Sequence, residues 1–162
     1  MSIEFGEVVE VYTAKAVLQL QRATRARKIG CLHTIKVTIA PIENNGANFQ
    51  KKLVMQLEEN QLSTFCQAMM GLLRNVRIDG AKIQGEKAKV AYININNDDT
   101  VNINISDSES NRFNQSIVFS PDYRYQLLRL AASQLTKNSK GYEQTIADTL
   151  NLLKASVIGR KV

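Results

Sequence analysis

The sequence predicts an α+β protein in which a four-stranded antiparallel sheet followed by a helix occurs twice, with one further helix at the end. Three observations carry this. Apolar residues recur with a two-residue period from Val9 to Leu57, the spacing that puts alternate side chains on opposite faces of a strand. At Asn60 the period changes to three and four, which gathers apolar residues on one side of a helix. The same order of strand signals followed by a helical signal then repeats from Val76 to Lys137.

The first strand begins with Val9 and Val11. In the second, Ala16, Leu18 and Leu20 share one face, leaving Lys15, Val17, Gln19 and Gln21 on the other. The third places Ile35, Val37 and Ile39 together, with Thr34, Lys36 and Thr38 opposite. The fourth, Lys52 to Glu58, aligns Leu53, Met55 and Leu57. Asn60 is an acceptable N-cap for a helix whose stripe is Leu62, Phe65, Cys66, Met69, Leu72 and Leu73, with Glu58-Glu59 favourable to the positive end of its dipole.

The strand period returns over Val76–Ile83 and Lys87–Ile95, turns through Asn96, Asn97, Asp98 and Asp99, and continues over Val101–Ser106, a hairpin pattern. Val101, Ile103 and Ile105 form its packed face, with Asn102 and Asn104 turned away. A short strand, Gln115–Phe119, leads to Ser120-Pro121-Asp122, where Ser120 caps and Pro121 occupies the first helical position. The helix Asp122–Lys137 buries Tyr123, Leu127, Leu130, Ala131 and Leu135, and a last helix over about Gly141–Ser156 carries Tyr142, Ile146, Leu150 and Leu153. Without a low-complexity linker, residues 1–162 read as one domain, with halves of about 7–75 and 76–137.

Composition narrows the function. A chain of 162 residues with 44% hydrophobic and 22% charged residues has an ordinary globular balance, and a net charge of +6 favours an anionic partner. Cys31 and Cys66 make neither a metal spacing nor a disulfide framework and are expected as small core residues of a reduced protein. No apolar run approaches the roughly 20 residues of a membrane-spanning helix, and the first residues lack the pattern of a signal or transit peptide. A cytoplasmic protein is expected.

The run Val11-Tyr12-Thr13-Ala14-Lys15-Ala16-Val17-Leu18, within this element order, resembles the Whirly family of plant single-stranded-DNA-binding proteins. That family's second strand opens with Lys-Gly-Lys-Ala-Ala-Leu. Lys15, Ala16 and Leu18 match it; Thr13 and Ala14 replace the first Lys and the Gly, and Val17 replaces the second Ala. Lys52–Leu57 looks like the family's fourth strand, and Ile117–Ser120 like the corresponding step of the second half. The resemblance covers roughly residues 7 to 137. It implies a homotetramer with sheets radiating from a helical centre and single strands lying across them. Trypanosome mitochondrial RNA-binding proteins share that fold, and positive cofactor four has a half-sized relative of it, so the likeness leaves DNA and RNA both open. It does not account for the last helix.

The candidate contact residues follow from charge and strand parity. Residues 11 to 42 hold Lys15, Arg22, Arg25, Arg27, Lys28 and Lys36 without one Asp or Glu, a basic stripe suited to phosphates that also fits a solvated loop. Lys15 and Lys36 share the non-core parity of adjacent strands, and Arg22, Arg25, Arg27 and Lys28 are expected where strand gives way to loop. Arg77, Lys82, Lys87 and Lys89 extend the track, and the acids Asp98, Asp99, Asp107 and Glu109 are expected away from it. Unstacked bases need flat partners. Tyr12, Tyr92, Phe49 and Phe113 are the candidates outside the helices, each equally suited to packing, and Val17, Gln19, Asn102 and Asn104 would supplement them.

Catalysis finds little footing. His33 shares parity with Ile35, Val37 and Ile39, and no phosphate loop, metal-ligand spacing or nucleophile motif is present. The expectation is a non-enzymatic single-stranded DNA-binding protein of little sequence specificity, without cofactor, metal or small-molecule substrate, serving replication, recombination, repair or mobile-element DNA. The alternatives are an RNA-binding or annealing protein, and an oligomeric adaptor whose basic face docks an acidic protein.

Overall fold

A computed structural model describes residues 8–44, 46–81, 88–107, 113–139 and 143–157. The α+β expectation holds: two antiparallel sheets and three helices share one apolar core. The first sheet contains β1 (Val8–Tyr12), β2 (Ala16–Ala26), β3 (Cys31–Glu43), β4 (Gly46–Ala47) and β5 (Leu53–Gln56), followed by α1 (Glu59–Met69). The second contains β6 (Asn75–Asp79), β7 (Lys89–Ile95), β8 (Val101–Asp107) and β9 (Asn114–Phe119), followed by α2 (Arg124–Lys137) and α3 (Ile146–Val157).

The first sheet has one strand more than the sequence suggests. β4 and β5 both pair with β3, β5 at Lys36–Ile39 and β4 at Ile42 and Glu43. Pro41 falls in the gap between the two pairings, where a residue without an N–H costs no ladder bond. The Asn48 amide still donates to the Pro41 carbonyl at 2.8 Å.

β2 and β3 also run further than expected. Polar residues on both parities make Arg22–Ala26 look like a loop, yet the pairing continues to Ala26↔Cys31. The reason is that α2 satisfies the core-side polar groups: Arg22 Nη1 donates to Ser133 Oγ and to Gln134 Oε1, each at 2.8 Å. Gln134, only 2% exposed, donates to the carbonyls of Ala23 at 3.2 Å and Thr34 at 2.8 Å. Buried amides and hydroxyls are tolerated when bonded in this way.

The core is built from the anticipated parity. Leu18, Leu20, Ile35, Ile39, Met55, Ile93, Ile103 and Ile105 are fully buried beside Leu62, Met69 and Leu127 of the helices, and each such side chain contributes about 1.5–3 kcal/mol relative to exposure. Glu58 rather than Asn60 is the N-cap of α1, in a capping box with Gln61. At the other end Gly71 takes φ +80, and a Cβ there would run into the Arg124 guanidinium, which donates to the Met69 carbonyl at 2.8 Å. Ser120 and Pro121 start a short 3-10 turn, Pro121–Tyr123, that leads into α2.

Three packing expectations change. Cys31 is exposed near the end of the β2–β3 hairpin, and only Cys66 is buried. Ile146 is 41% exposed; α3 docks instead through Thr149 and Leu153. Its docking is partly polar, with Gln67 Nε2 donating to the Leu153 carbonyl at 3.2 Å and to Ser156 Oγ at 2.6 Å, and the Thr136 and Thr149 hydroxyls 2.6 Å apart. Leu72 is exposed because α1 has already ended. Lys82, Lys87, Glu109 and Tyr142 lie outside the described residues.

Candidate nucleic-acid interface

Each sheet has one face turned away from the core, and strand register specifies what stands on it. On the first sheet the cross-strand rows are Val8–Gln21–Lys36–Gln56, Glu10–Gln19–Thr38–Val54 and Tyr12–Val17–Ala40. On the second they are Asn75–Asn94–Asn102–Val118, Arg77–Tyr92–Asn104–Ser116 and Asp79–Val90–Ser106–Asn114. Among the described residues the two outer faces are chemically alike: each holds one exposed tyrosine, several side-chain amides, one cation and one acid. Tyr12 is 56% exposed and Tyr92 39%.

Charge is distributed less evenly than composition suggests. Arg22, read as a mobile phosphate ligand, is fixed in β2 with its guanidinium on α2. Arg25, also inside β2, has its Nε 3.2 Å from Glu58 Oε1 and donates to Gln56 Oε1 at 3.0 Å. Arg27, in the following turn, pairs with the other oxygen of Glu58. The acid that neutralises the hairpin thus comes from the N-cap of α1, outside the acid-free stretch. Arg77 Nη2 lies 3.1 Å from Asp79 Oδ1 on its own strand.

Lys89 stands on the helix-side parity of β7, opposite Asp107, so it does not continue a track with Arg77. Asp107 is itself buried. Val17 has the outward parity expected of it but is fully buried in its row with Ala40, and a side chain with no exposed surface offers nothing to a strand.

The remaining candidates are accessible. Lys15, in the turn between β1 and β2, and Lys28, in the β2–β3 turn, are exposed, and Lys36 is half-buried between Gln21 and Gln56. Among the described residues none of these three has an ion pair. Gln19 Nε2 donates to Glu10 Oε2 at 2.7 Å, and the Tyr12 hydroxyl approaches the same oxygen at 3.5 Å, which restrains the one acid on this face. Phe49 is 39% exposed in the 3-10 turn Phe49–Lys51, and Phe113 is 70% exposed before β9.

Sequence reasoning placed Gln21 on the outward parity of its strand without naming it as a contact, and missed Gln56, Asn75, Asn94 and Asn114 as members of these faces. Their signal was available as strand parity, the same rule that placed Asn102 and Asn104. Asn102 also carries a chemical cue that only the structure shows, a buried Oδ1 without a hydrogen-bond partner. A group of that kind costs on the order of 1–3 kcal/mol when left unmet.

His33 and Cys66 are the side chains whose chemistry would matter for catalysis, and the bonds at His33 are made by its backbone. The His33 N–H donates to Asn138 Oδ1 and its carbonyl accepts from Asn138 Nδ2, both at 2.8 Å. Burial, helped by nearby Lys137, holds the imidazole below its ordinary pKa. Burial pushes the Cys66 thiol up to about 12, far from the thiolate a nucleophile requires. Among the described residues no three His, Cys, Asp or Glu side chains gather as a metal site, and no helix is long and apolar enough to cross a membrane. No family model matches the chain, and no curated protein matches its sequence.

Proposed function

We propose that this protein binds single-stranded nucleic acid, DNA in the first instance, with little sequence preference, and that it does so on the outer sheet faces in the manner of the Whirly fold. The observation that carries the reading is the shared chemistry of those faces: one exposed tyrosine on each, Tyr12 and Tyr92, set among amides beside a cation. Base stacking on an aromatic ring contributes about 1–3 kcal/mol and is indifferent to sequence. Lysines at Lys15, Lys28 and Lys36 supply phosphate contacts, which position a strand without reading its bases. Amides from Gln19, Gln21, Asn94, Asn102 and Asn104 offer both donors and acceptors to bases and sugars.

In this reading the activity is binding rather than catalysis, and the buried Cys66 thiol, its pKa pushed up to about 12, stays protonated. The same reading has the helices assembling a homotetramer, so that faces of neighbouring protomers line one path. It needs no cofactor or metal.

The test is fluorescence anisotropy of a labelled oligothymidine of roughly 30 nucleotides, long enough to span more than one binding site, titrated at several salt concentrations. Matched RNA and duplex DNA serve as competitors. Tight, salt-sensitive binding that duplex fails to displace is expected, and Lys15→Ala should weaken it for every sequence. Stronger competition by RNA would redirect the proposal to RNA. Absence of binding at low salt would overturn it in favour of an adaptor that docks an acidic protein.

A further inference from the structure

The β2–β3 hairpin is long, braced at its root and apolar at its tip. β2 and β3 remain paired to Ala26↔Cys31, whereas the described pairing of β1 reaches only Gln21 and that of β5 only Lys36. About five residues of β2 therefore continue past the described pairing on either side, roughly 16 Å of strand.

Bonds from four positions on or capping the helices, Glu58, Ser133, Gln134 and Asn138, hold this extension. Arg22 and Gln134 tie it to α2, Asn138 clasps the His33 backbone, and Glu58 receives Arg25 and Arg27. The turn closes with the Arg27 N–H on the Gly30 carbonyl at 3.2 Å, and Gly30 takes φ +77, a conformation that favours glycine. At the apex Ile29 is 83% exposed, more than any other large hydrophobic side chain described. Lys28 beside it is exposed and, among the described residues, has no ion pair.

We propose that this hairpin is a wedge: Ile29 inserts between bases where a single strand meets a duplex, while Lys28 rests on the adjoining phosphate. The inference rests on the reading that the chain binds nucleic acid, and it adds a junction as the preferred substrate. An isoleucine left in water at the tip of a braced arm gives up the stabilisation of burial. Apolar side chains pushed between base steps beside cationic ones are how proteins unstack a duplex, at a cost of a few kcal/mol per step. The rigid root matters because a flexible arm would have to be ordered on binding, whereas here the β2–β3 ladder and the bonds to α2 and Glu58 have already ordered it.

The experiment uses the full chain and a forked DNA carrying 2-aminopurine at its last paired position, a base whose fluorescence rises on unstacking. Wild type should raise the signal on the order of twofold. Ile29→Ser should abolish that rise while keeping single-strand affinity within about twofold, and Ile29→Phe should retain the rise, because a larger apolar wedge still inserts. An equal rise with Ile29→Ser would overturn the wedge. So would a wild-type protein that binds the single strand but leaves the junction stacked, and in that case single-strand binding itself would stand. A change in sedimentation of Ile29→Ser without DNA would reassign the tip to self-association. Failure to bind any oligonucleotide would remove the wedge and the underlying function together.

Discussion

The outer faces of the two sheets share a recipe and differ in how their charge is committed. On the first sheet Lys36 stands between two glutamines with no ion pair among the described residues, and Lys15 lies at its rim. On the second the cation, Arg77, is already paired with Asp79 on the same strand, and the amides of Asn75, Asn94, Asn102 and Asn104 dominate. A cation that neutralises a phosphate releases counterions condensed on the strand, and one already paired with an acid must first give up that partner. The first face is therefore built for a salt-sensitive grip, and the second for neutral contacts that salt barely affects.

The largest expected effects fall on the aromatic platforms. Tyr12→Ala should cost about 1–3 kcal/mol of single-strand binding with an unchanged melting temperature, and Tyr92→Ala somewhat less, since its ring is 39% exposed against 56% for Tyr12. Anisotropy beside a thermal melt separates lost stacking from lost folding. If both variants bind as wild type does, the faces are not the site.

Glu58→Gln comes next, and it acts in two directions. It removes the carboxylate that Arg25 and Arg27 share, while Arg25 keeps its bond to Gln56, so nucleic-acid affinity at low salt should rise and the salt slope should steepen, chiefly through Arg27. Ion pairs at partly exposed positions are each worth about 0–1 kcal/mol, so the melting temperature should fall only modestly. A variant that melts lower yet binds with the wild-type slope would show that these arginines stay committed to the hairpin by other bonds.

Asp79→Asn sharpens the comparison by a smaller step. Freeing Arg77 should give the second face a cation and raise the salt slope by about one at most. A slope unchanged by Asp79→Asn would place Arg77 off the path of the strand.

The smallest effect concerns pH. His33 titrates below its ordinary value of 6.5 in the folded chain, so the folded state binds fewer protons there than the unfolded chain. Its contribution to stability is full above that value and is lost as pH falls below it. His33→Gln should flatten this part of the stability curve, read by thermal melts from pH 7.5 down to about 5, the span over which histidine changes charge. A wild-type curve flat over the same span would contradict it.

Much of the fold was legible because parity survives folding. Leu18, Leu20, Ile35 and Ile39 landed in the core their spacing predicts, and the two sheet-to-helix successions stand in order. The hairpin's true length was hidden because Arg22 and Thr34 are polar on a buried stretch, and their partners Ser133, Gln134 and Leu57 lie far along the chain. The ion pairs of Arg25 and Arg27 were hidden for a related reason. A stretch without internal acids looks unneutralised until Glu58 folds back onto it. Val17 shows the limit of parity itself, which gives a direction but not whether that direction is open.

The most direct test of the account is a salt titration of oligothymidine binding with Lys36→Ala and Arg77→Ala measured side by side. Lys36→Ala should lower the salt slope by about one and weaken binding alike for all sequences, while Arg77→Ala should leave the slope unchanged because its charge is already met by Asp79. Equal losses of slope in the two variants, or a loss with Arg77→Ala alone, would contradict the division of labour between the faces.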